Sequence, residues 1–353
     1  MIYRMRMNLD PLVFVAIVSL CGSGLFLSAR EPSMAQEKPP ISTVGSPQLF
    51  EPGLISTGLS EREPSFTPDG RFCYFWVLVH HHTVILVSER VEGRWSAPRV
   101  ASFSGEYSDF EPCVDPSGTS LFFVSNRPLP GRAEAGDSNL WVMDRKEQGW
   151  GEPKALPVSI NTPQIEYFPS VTRNGTLYFS RYAADFSGAT LYRAEKTSDG
   201  YAAPRALPDV INRDNRGFNA AIDPDDRFLV FPRELPGQGG RMVLHISQRL
   251  GQEEWAPPRP LLPKAFPMTL DDGARISPDG RFLYFSANLV PNHGGLWSRP
   301  KSLPLRGKLG MADLERFLTG PQNGNKDIYW VALDRSGTVS DDGSGGSRRE
   351  DPP

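Results

Sequence analysis

The chain has 353 residues, of which 39% are apolar, 10% aromatic and 22% charged. This composition can form a packed core and excludes a wholly disordered, collagen-like or coiled-coil chain. The formal net charge of −3 provides no general attraction for nucleic acid or anionic lipid, so neither is predicted as a partner.

The N-terminal segment has the pattern of an export leader. Two arginines precede an uncharged apolar run over 11–27, and small residues before Gln36 predict cleavage there. Residues 1–35 are therefore predicted to be a signal peptide, or an N-terminal anchor if the segment is not cut, and 36–46 a linker. Both alternatives export the rest of the chain to the periplasm or the extracellular space.

The body of the chain is a repeat, in which an apolar strand, a tight turn and an aromatic-rich strand recur five times. Turns of Pro-Asp-Gly character are typical of hairpins. The 33 glycines and 34 prolines, which together exceed the usual share of about 12%, agree with many such turns. The five turns are Thr67-Pro68-Asp69-Gly70, Asp115-Pro116-Ser117-Gly118, Thr172-Arg173-Asn174-Gly175, Asp223-Pro224-Asp225-Asp226 and Ser277-Pro278-Asp279-Gly280.

Two further strands complete each unit. A third strand is predicted at 84–87, 140–143, 191–194, 242–245 and 328–331. A fourth is indicated by an aromatic residue and a nearby proline, at Trp95, Trp150, Tyr201 and Trp255. Four short antiparallel strands repeated about every 50 residues predict an all-β fold, the β-propeller, whose blades bury their faces against one another.

Counting strands predicts five four-stranded blades. Only four outer strands follow the start of the first blade, so the segment 47–55 is predicted to supply the fifth and to close the ring on the last blade. The propeller then spans 47–335, with an insertion at 289–324 in the last blade. The alternative is a sixth, degenerate blade inside this insertion. Within it, 311–318 has the apolar spacing of a short helix, and the polar tail 336–353 is predicted to be disordered.

The repeat phrase resembles the WD40-like propeller repeats of the TolB type. Their motif has the form Pro-x-x-Ser-Pro-Asp-Gly followed by apolar and aromatic residues. It is matched in part by Glu63-Pro64-Ser65-Phe66-Thr67-Pro68-Asp69-Gly70 and by Gly273-Ala274-Arg275-Ile276-Ser277-Pro278-Asp279-Gly280. The resemblance covers 47–334, the propeller alone. It implies a protein of the cell envelope that grips partner proteins, often through a peptide that enters the funnel.

Candidate binding residues follow from the propeller geometry. The loops that enter the first strands and leave the second strands open on one face, so their polar side chains are predicted to surround a central funnel and bind a polar ligand. The alternative is that these charges form salt bridges that hold the blades together. The candidates are Glu61, Asp109, Glu166, Asp271, Arg127, Arg181, Arg233, Arg216, Arg275 and Tyr182.

These residues predict an exported recognition or scaffold module whose partner is a protein, a peptide or a glycan. The alternative is a glycan-processing hydrolase, glycosidase or sialidase-like, that uses the funnel carboxylates, with Tyr167 or Tyr182 as a candidate phenol. Repetition argues against catalysis, because a catalytic pair needs two different environments and these acids occupy equivalent positions. No catalytic residue is assigned.

No metal or cofactor is predicted. His80-His81-His82 are consecutive on an extended segment, so their side chains alternate between faces and at most two could share an ion. Cys73 and Cys113 each lie within an apolar run and are expected to be small buried hydrophobes rather than a disulfide.

Overall fold

A computed structural model describes residues 41–183, 185, 187–213, 217–234, 242–262, 268–269, 273–289 and 310–335. The predicted leader 1–35 and the tail 336–353 lie outside the described residues. Over the described ranges the chain forms five antiparallel sheets of four or five strands, and a separate two-stranded hairpin of Lys196–Thr197 and Gly200–Tyr201. The fold is all-β, a propeller of five blades, as the repeat predicts.

The strands of the first three blades follow one another without interruption. Each blade runs from an inner strand beside the channel to a short outer strand. After β1 (Ser42–Leu49), blade 1 contains β2 (Glu61–Phe66), β3 (Phe72–Val79), β4 (His82–Val91), β5 (Arg94–Trp95) and β6 (Arg99–Val100). Blade 2 contains β7 (Asp109–Val114), β8 (Ser120–Ser125), β9 (Asn139–Asp144) and β10 (Lys154–Ala155). Blade 3 contains β11 (Ile165–Val171), β12 (Leu177–Tyr182), β13 (Ala189–Ala194), the hairpin β14 (Lys196–Thr197) and β15 (Gly200–Tyr201), and β16 (Arg205–Ala206).

The last two blades include the helices. A short helix, α1 (Asp209–Asn212), precedes blade 4. Blade 4 contains β17 (Ala221–Ile222), β18 (Phe228–Glu234), β19 (Met242–Gln248) and β20 (Arg259–Pro260). Blade 5 contains β21 (Met268–Thr269), β22 (Ala274–Ile276), β23 (Phe282–Leu289), the helix α2 (Met311–Thr319) and β24 (Asp327–Asp334).

The ring closes through the N-terminal strand, as predicted. β1 pairs antiparallel with β24, with Thr43 opposite Leu333 and Leu49 opposite Tyr329. This strand begins at Ser42, before the predicted propeller boundary at 47. The predicted helix in the insertion is present as α2, while residues 290–309, where most of a sixth blade would lie, are outside the described ranges. Neither described helix is long and apolar enough to cross a bilayer.

Five hydrophobic clusters hold the ring together, and each is shared by two adjacent blades. Between blades 1 and 2, for example, Tyr74 and Trp76 pack with Phe123 and Trp141. The other four clusters join blades 2 and 3, 3 and 4, 4 and 5, and 5 and 1. A single blade would leave both of its faces exposed to water, so the repeats are stable only as a ring.

The inner strands carry a bulge at a repeated position. The strand register shifts between Arg62 and Ser65, and again at the same place in blades 2 and 3. The bulge residue has a left-handed backbone, with φ of 47° at Glu63 and 52° at Glu111, a conformation that non-glycine residues rarely adopt. Because one extra residue is inserted, the side chains before and after the bulge do not follow simple alternation.

Cys73 and Cys113 are buried and unbonded, as expected for small apolar residues. Each lies in a different inter-blade cluster, Cys73 between blades 5 and 1 and Cys113 between blades 2 and 3. Burial raises the pKa of both thiols, so neither is a reactive thiolate at neutral pH.

Candidate functional site

Two of the predicted acids are clamped by arginines of their own blade. Arg127 donates from Nη2 to Asp109 Oδ1 at 2.8 Å, and Arg181 donates from Nε to Glu166 Oε1 at 2.9 Å. Both carboxylates have 0% exposure. Burial raises the pKa of Glu166, and hydrogen bonds from Thr162 and Arg181 oppose the shift. Each acid lies at the start of an inner strand. Arg181 stands directly opposite Glu166 on the paired strand, while Arg127 lies two residues beyond Ser125, the residue opposite Asp109, so two blades form similar ion pairs from different positions.

Glu61 occupies the equivalent place in blade 1 and has a different neighbourhood. Its Oε1 accepts hydrogen bonds from the Thr57 hydroxyl and the Leu59 backbone, and its buried Oε2 has no hydrogen-bond partner within the described ranges. Asp327 of blade 5 accepts a hydrogen bond from the Gln322 backbone at 2.7 Å on one oxygen, and its other, buried oxygen has no partner in the part of the chain that the structure describes. Burial raises the pKa of Asp327 to about 7, with a further contribution from the charge of Glu61.

The remaining candidates are placed differently. In blade 4 the acid position is Gly217, which forms a β-bridge with Arg233, and Arg233 donates to the Arg213 carbonyl at 3.2 Å. Asp271 and Arg216 lie outside the described residues. The structure therefore brings each acid it describes to a separate local partner rather than to a shared pocket.

The central channel is filled by the bulge residues of the first three inner strands and by the residues at the equivalent place before β17 and β22. Glu63 accepts hydrogen bonds from Trp76 Nε1 at 3.1 Å and from the Gly273 backbone at 2.9 Å. Glu111 accepts from the Phe168 backbone at 2.6 Å. A Cβ on Gly273 would lie 2.2 Å from the Phe168 ring, so glycine is the residue that fits there. The five residues are Glu63, Glu111, Phe168, Asn219 and Gly273.

Arg275 lies inside this channel rather than at its mouth. It is 4% exposed, and its guanidinium donates to the Pro169 carbonyl at 2.6 Å and to the Glu111 carbonyl at 3.2 Å. Its Cζ stands 3.8 Å from the centre of the Phe168 ring. Arg275 thereby joins blade 5 to blades 2 and 3 across the channel. Below it, toward the turns, the described residues leave a cavity of only about 30 Å³, roughly the volume of one water molecule.

A row of aromatic side chains borders the funnel, and most of it was not predicted. Consecutive ring centres are 5.6, 5.4, 5.3 and 6.2 Å apart. We call this row the aromatic arc; it consists of Trp76, Phe110, Tyr167, Tyr182 and Phe218. All but Trp76 are half-buried, so one part of each of these rings packs and another faces solvent. Arg62 covers the Trp76 ring with its Cζ 4.9 Å from the ring centre.

Three residues of the aromatic arc occupy the same position in successive sequence repeats. Phe110, Tyr167 and Phe218 each follow the acid position directly and precede the bulge residue. Arg62 holds the same place in blade 1, where Trp76 of the paired strand supplies the ring instead. An aromatic residue at this place in three repeats is visible in the sequence, but it is equally consistent with a core position.

No three His, Cys, Asp or Glu side chains among the described residues are grouped as a metal site would require. His80 and His81 are exposed at the tip of the β3–β4 hairpin. His82 is half-buried, with Nδ1 3.3 Å from Ser108 Oγ. This hairpin therefore does not direct its histidines to one point.

Comparison with known proteins identifies no family. No family model and no curated protein matches the sequence. Among solved structures, TolB from Acinetobacter baumannii is 13% identical with a TM-score of 0.43, the match covering 76% of this chain and 53% of that one. This chain thus matches about half the length of that TolB. A putative TolB from Agrobacterium tumefaciens is 14% identical over 78% of this chain and 90% of that one, with a TM-score of 0.44.

Glycoside hydrolases occur among the same matches. An alpha-L-arabinofuranosidase from Lactobacillus brevis is 11% identical over 80% of this chain and 92% of that one, with a TM-score of 0.46. TolB proteins and a glycoside hydrolase therefore match at similar levels, and the function has to be argued from this chain's own residues.

Proposed function

We propose that the protein is an exported recognition module that binds a glycan or a peptide at the funnel face, with the aromatic arc as its contact surface. One observation carries this: five neighbouring rings border the funnel, and four of them are half-buried. Aromatic rings provide large, rigid contact areas for the apolar faces of sugars and for proline or aromatic side chains. The exposed part of each half-buried ring is accessible to a ligand at the funnel face.

The charged residues support the same function. Asp109 and Glu166 are each neutralised by one arginine, which leaves them as supports of the funnel wall. The channel below the arc is filled by Phe168, Glu111 and Arg275. A bound chain would therefore lie across the mouth of the funnel rather than pass through the ring.

Replacing Tyr167 tests the proposal. Tyr167 contacts both Phe110 and Tyr182, so Tyr167→Ala interrupts the arc at its centre. The full chain would be screened against glycan and peptide panels, and each ligand found would be titrated by calorimetry. We expect Tyr167→Ala to weaken binding at least about tenfold, as for a central interface aromatic.

Tyr201→Ala is the matched control, because Tyr201 is a half-buried tyrosine of blade 3 outside the arc. It is expected to retain wild-type affinity. Equal affinity of the wild type and Tyr167→Ala for every ligand found would contradict the assignment of the arc as the binding surface.

A glycan-processing hydrolase is the second candidate, favoured by the pair Glu61 and Asp327. A pKa of about 7 for Asp327 lies in the range of a general acid. Both side chains are only 1% exposed, however, so we expect bound glycans to be released unchanged. The hydrolase would replace the recognition module as the proposed function if the protein turned over chromogenic glycosides and Asp327→Asn abolished this turnover. The exposed-site control Asp144→Asn should retain it.

A further inference from the structure

A second candidate site lies at the opposite end of the ring, between blades 3 and 4. There the described residues line a cavity of about 260 Å³ beside the hairpin turns, with Arg193, Lys196 and Arg249 among its walls. A smaller cavity of about 130 Å³ adjoins Arg193 and Glu195 on their other side and is also lined by Arg205. We call the two together the blade 3–4 crevice.

Arg193 breaks the repeat at this place. It pairs with Tyr178 of the second strand, and the residues in the same register of the other blades are all apolar. They are Val87, Val142, Ile246 and Trp330. Of these, Val87 and Ile246 are buried, and Val142 and Trp330 are half-buried. Burying a guanidinium at a position where the other repeats have an apolar side chain lowers stability unless something else binds the charge.

The present partners of Arg193 bind it incompletely. Its Nη2 donates to Glu195 at 2.5 Å and contacts Glu253 at 3.1 Å, and its Nη1 donates to the Gln252 carbonyl at 3.4 Å. Its buried Nε has no partner among the described residues. The Arg193 side chain is 5% exposed, but those of Glu195 and Glu253 are 57% and 49% exposed. Water competes with the guanidinium for exposed carboxylates, so these ion pairs are weak. An anionic ligand can therefore displace Glu195 and Glu253 from Arg193.

The crevice also has a surplus of positive charge. Arg249 is already paired with Asp226, which accepts a further hydrogen bond from the Tyr178 hydroxyl. Lys196 and Arg205, in contrast, make no ion pair with any residue described. Of the charged side chains that line the two cavities, four are basic and two are acidic; they are Arg193, Lys196, Arg205, Arg249, Glu195 and Asp226.

We propose that the blade 3–4 crevice binds a small organic anion through a phosphate or carboxylate group. The anionic oxygens replace Glu195 on the guanidinium of Arg193 and accept a second contact from Lys196 or Arg205. A volume of about 260 Å³ accommodates a ligand larger than the anionic group alone. Because the crevice is at the turn end of the blades, this site is independent of the funnel proposal.

Calorimetric titration of the full chain with inorganic phosphate and, separately, with citrate tests this proposal and separates phosphate from carboxylate recognition. We expect saturable binding of at least one probe. Lys196→Ala and Arg205→Ala should each weaken it, the stronger effect being about tenfold, and Glu195→Gln should tighten it because the competing carboxylate charge is lost.

Lys154→Ala is the matched control: Lys154 is an exposed lysine of blade 2, paired with Asp144, and its loss should leave the affinity unchanged. The proposal would be overturned if neither probe showed saturable binding up to about 10 mM. Binding with a Kd of about 1 mM, a binding free energy of only about 4 kcal/mol, would still be detected at that concentration. Equal weakening by Lys196→Ala and Lys154→Ala would also overturn the proposal, since that would reflect overall charge and not a site.

Discussion

Arg275→Met is expected to lower the free energy of unfolding by about 3 kcal/mol or more. The substitution keeps most of the side-chain length but removes the donors to the carbonyls of Pro169 and Glu111. It also removes the cation from a channel that contains the buried carboxylates of Glu63 and Glu111. Those residues lie in blades 1 and 2, so the loss would weaken the centre of the ring. Urea denaturation followed by tryptophan fluorescence would measure it.

Arg71→Met is the control for this prediction. Arg71 is paired with Glu89, and its side chain is 60% exposed, so its loss should change the free energy of unfolding by less than about 1 kcal/mol. If the two variants lose the same small amount of stability, Arg275 does not join the blades as its contacts indicate.

The number of blades and the closure of the ring could be predicted because they depend on local chemistry. Turns such as Ser277-Pro278-Asp279-Gly280 form tight hairpins whatever surrounds them, and Gly280 adopts the positive φ of 72° that glycine tolerates. Only four outer strands follow the start of the first blade, so the segment 47–55 was left to supply the fifth. That inference needed only a strand count.

The outer strands were located less accurately. They begin after the aromatic residues that were used to predict them, at Arg99 and Lys154 for example. Those aromatic residues pair instead with the end of the third strand, as Trp150 does with Arg145. The proline that follows has no N–H to donate. Pairing with the third strand therefore resumes only beyond it.

The candidate site was harder to predict because the inner strands are bulged. The regular alternation of a strand would place Glu61, Glu63 and Ser65 on one face, but the extra residue changes the direction of the side chains after it. Arg275 follows the bulge position and enters the channel, while the residues before the bulge, such as Tyr167, border the funnel. The pattern of residue types alone does not reveal a bulge.

The stability of the protein is expected to fall as the pH rises from about 4 to about 7, and Asp327 is the main reason. Its pKa is 3.8 in the unfolded chain and about 7 in the folded one, so in this range the folded state holds a proton that the unfolded state has lost. The stability that this proton provides is complete below pH 4 and is lost as the pH passes 7, on the order of 4 kcal/mol in total.

Asp327→Asn should remove most of this dependence. The amide is neutral at every pH, and its oxygen can still accept the Gln322 backbone hydrogen bond that Asp327 accepts at 2.7 Å. We therefore expect the variant to be more stable than the wild type at pH 8 and to show a flatter profile between pH 4 and 8 in urea denaturation. Asp144→Asn, at an exposed carboxylate of blade 2, should keep the wild-type profile. If the wild type and Asp327→Asn gave parallel profiles, the buried pair of Asp327 and Glu61 would not hold this proton. The one observation that favours a hydrolase would then be lost as well.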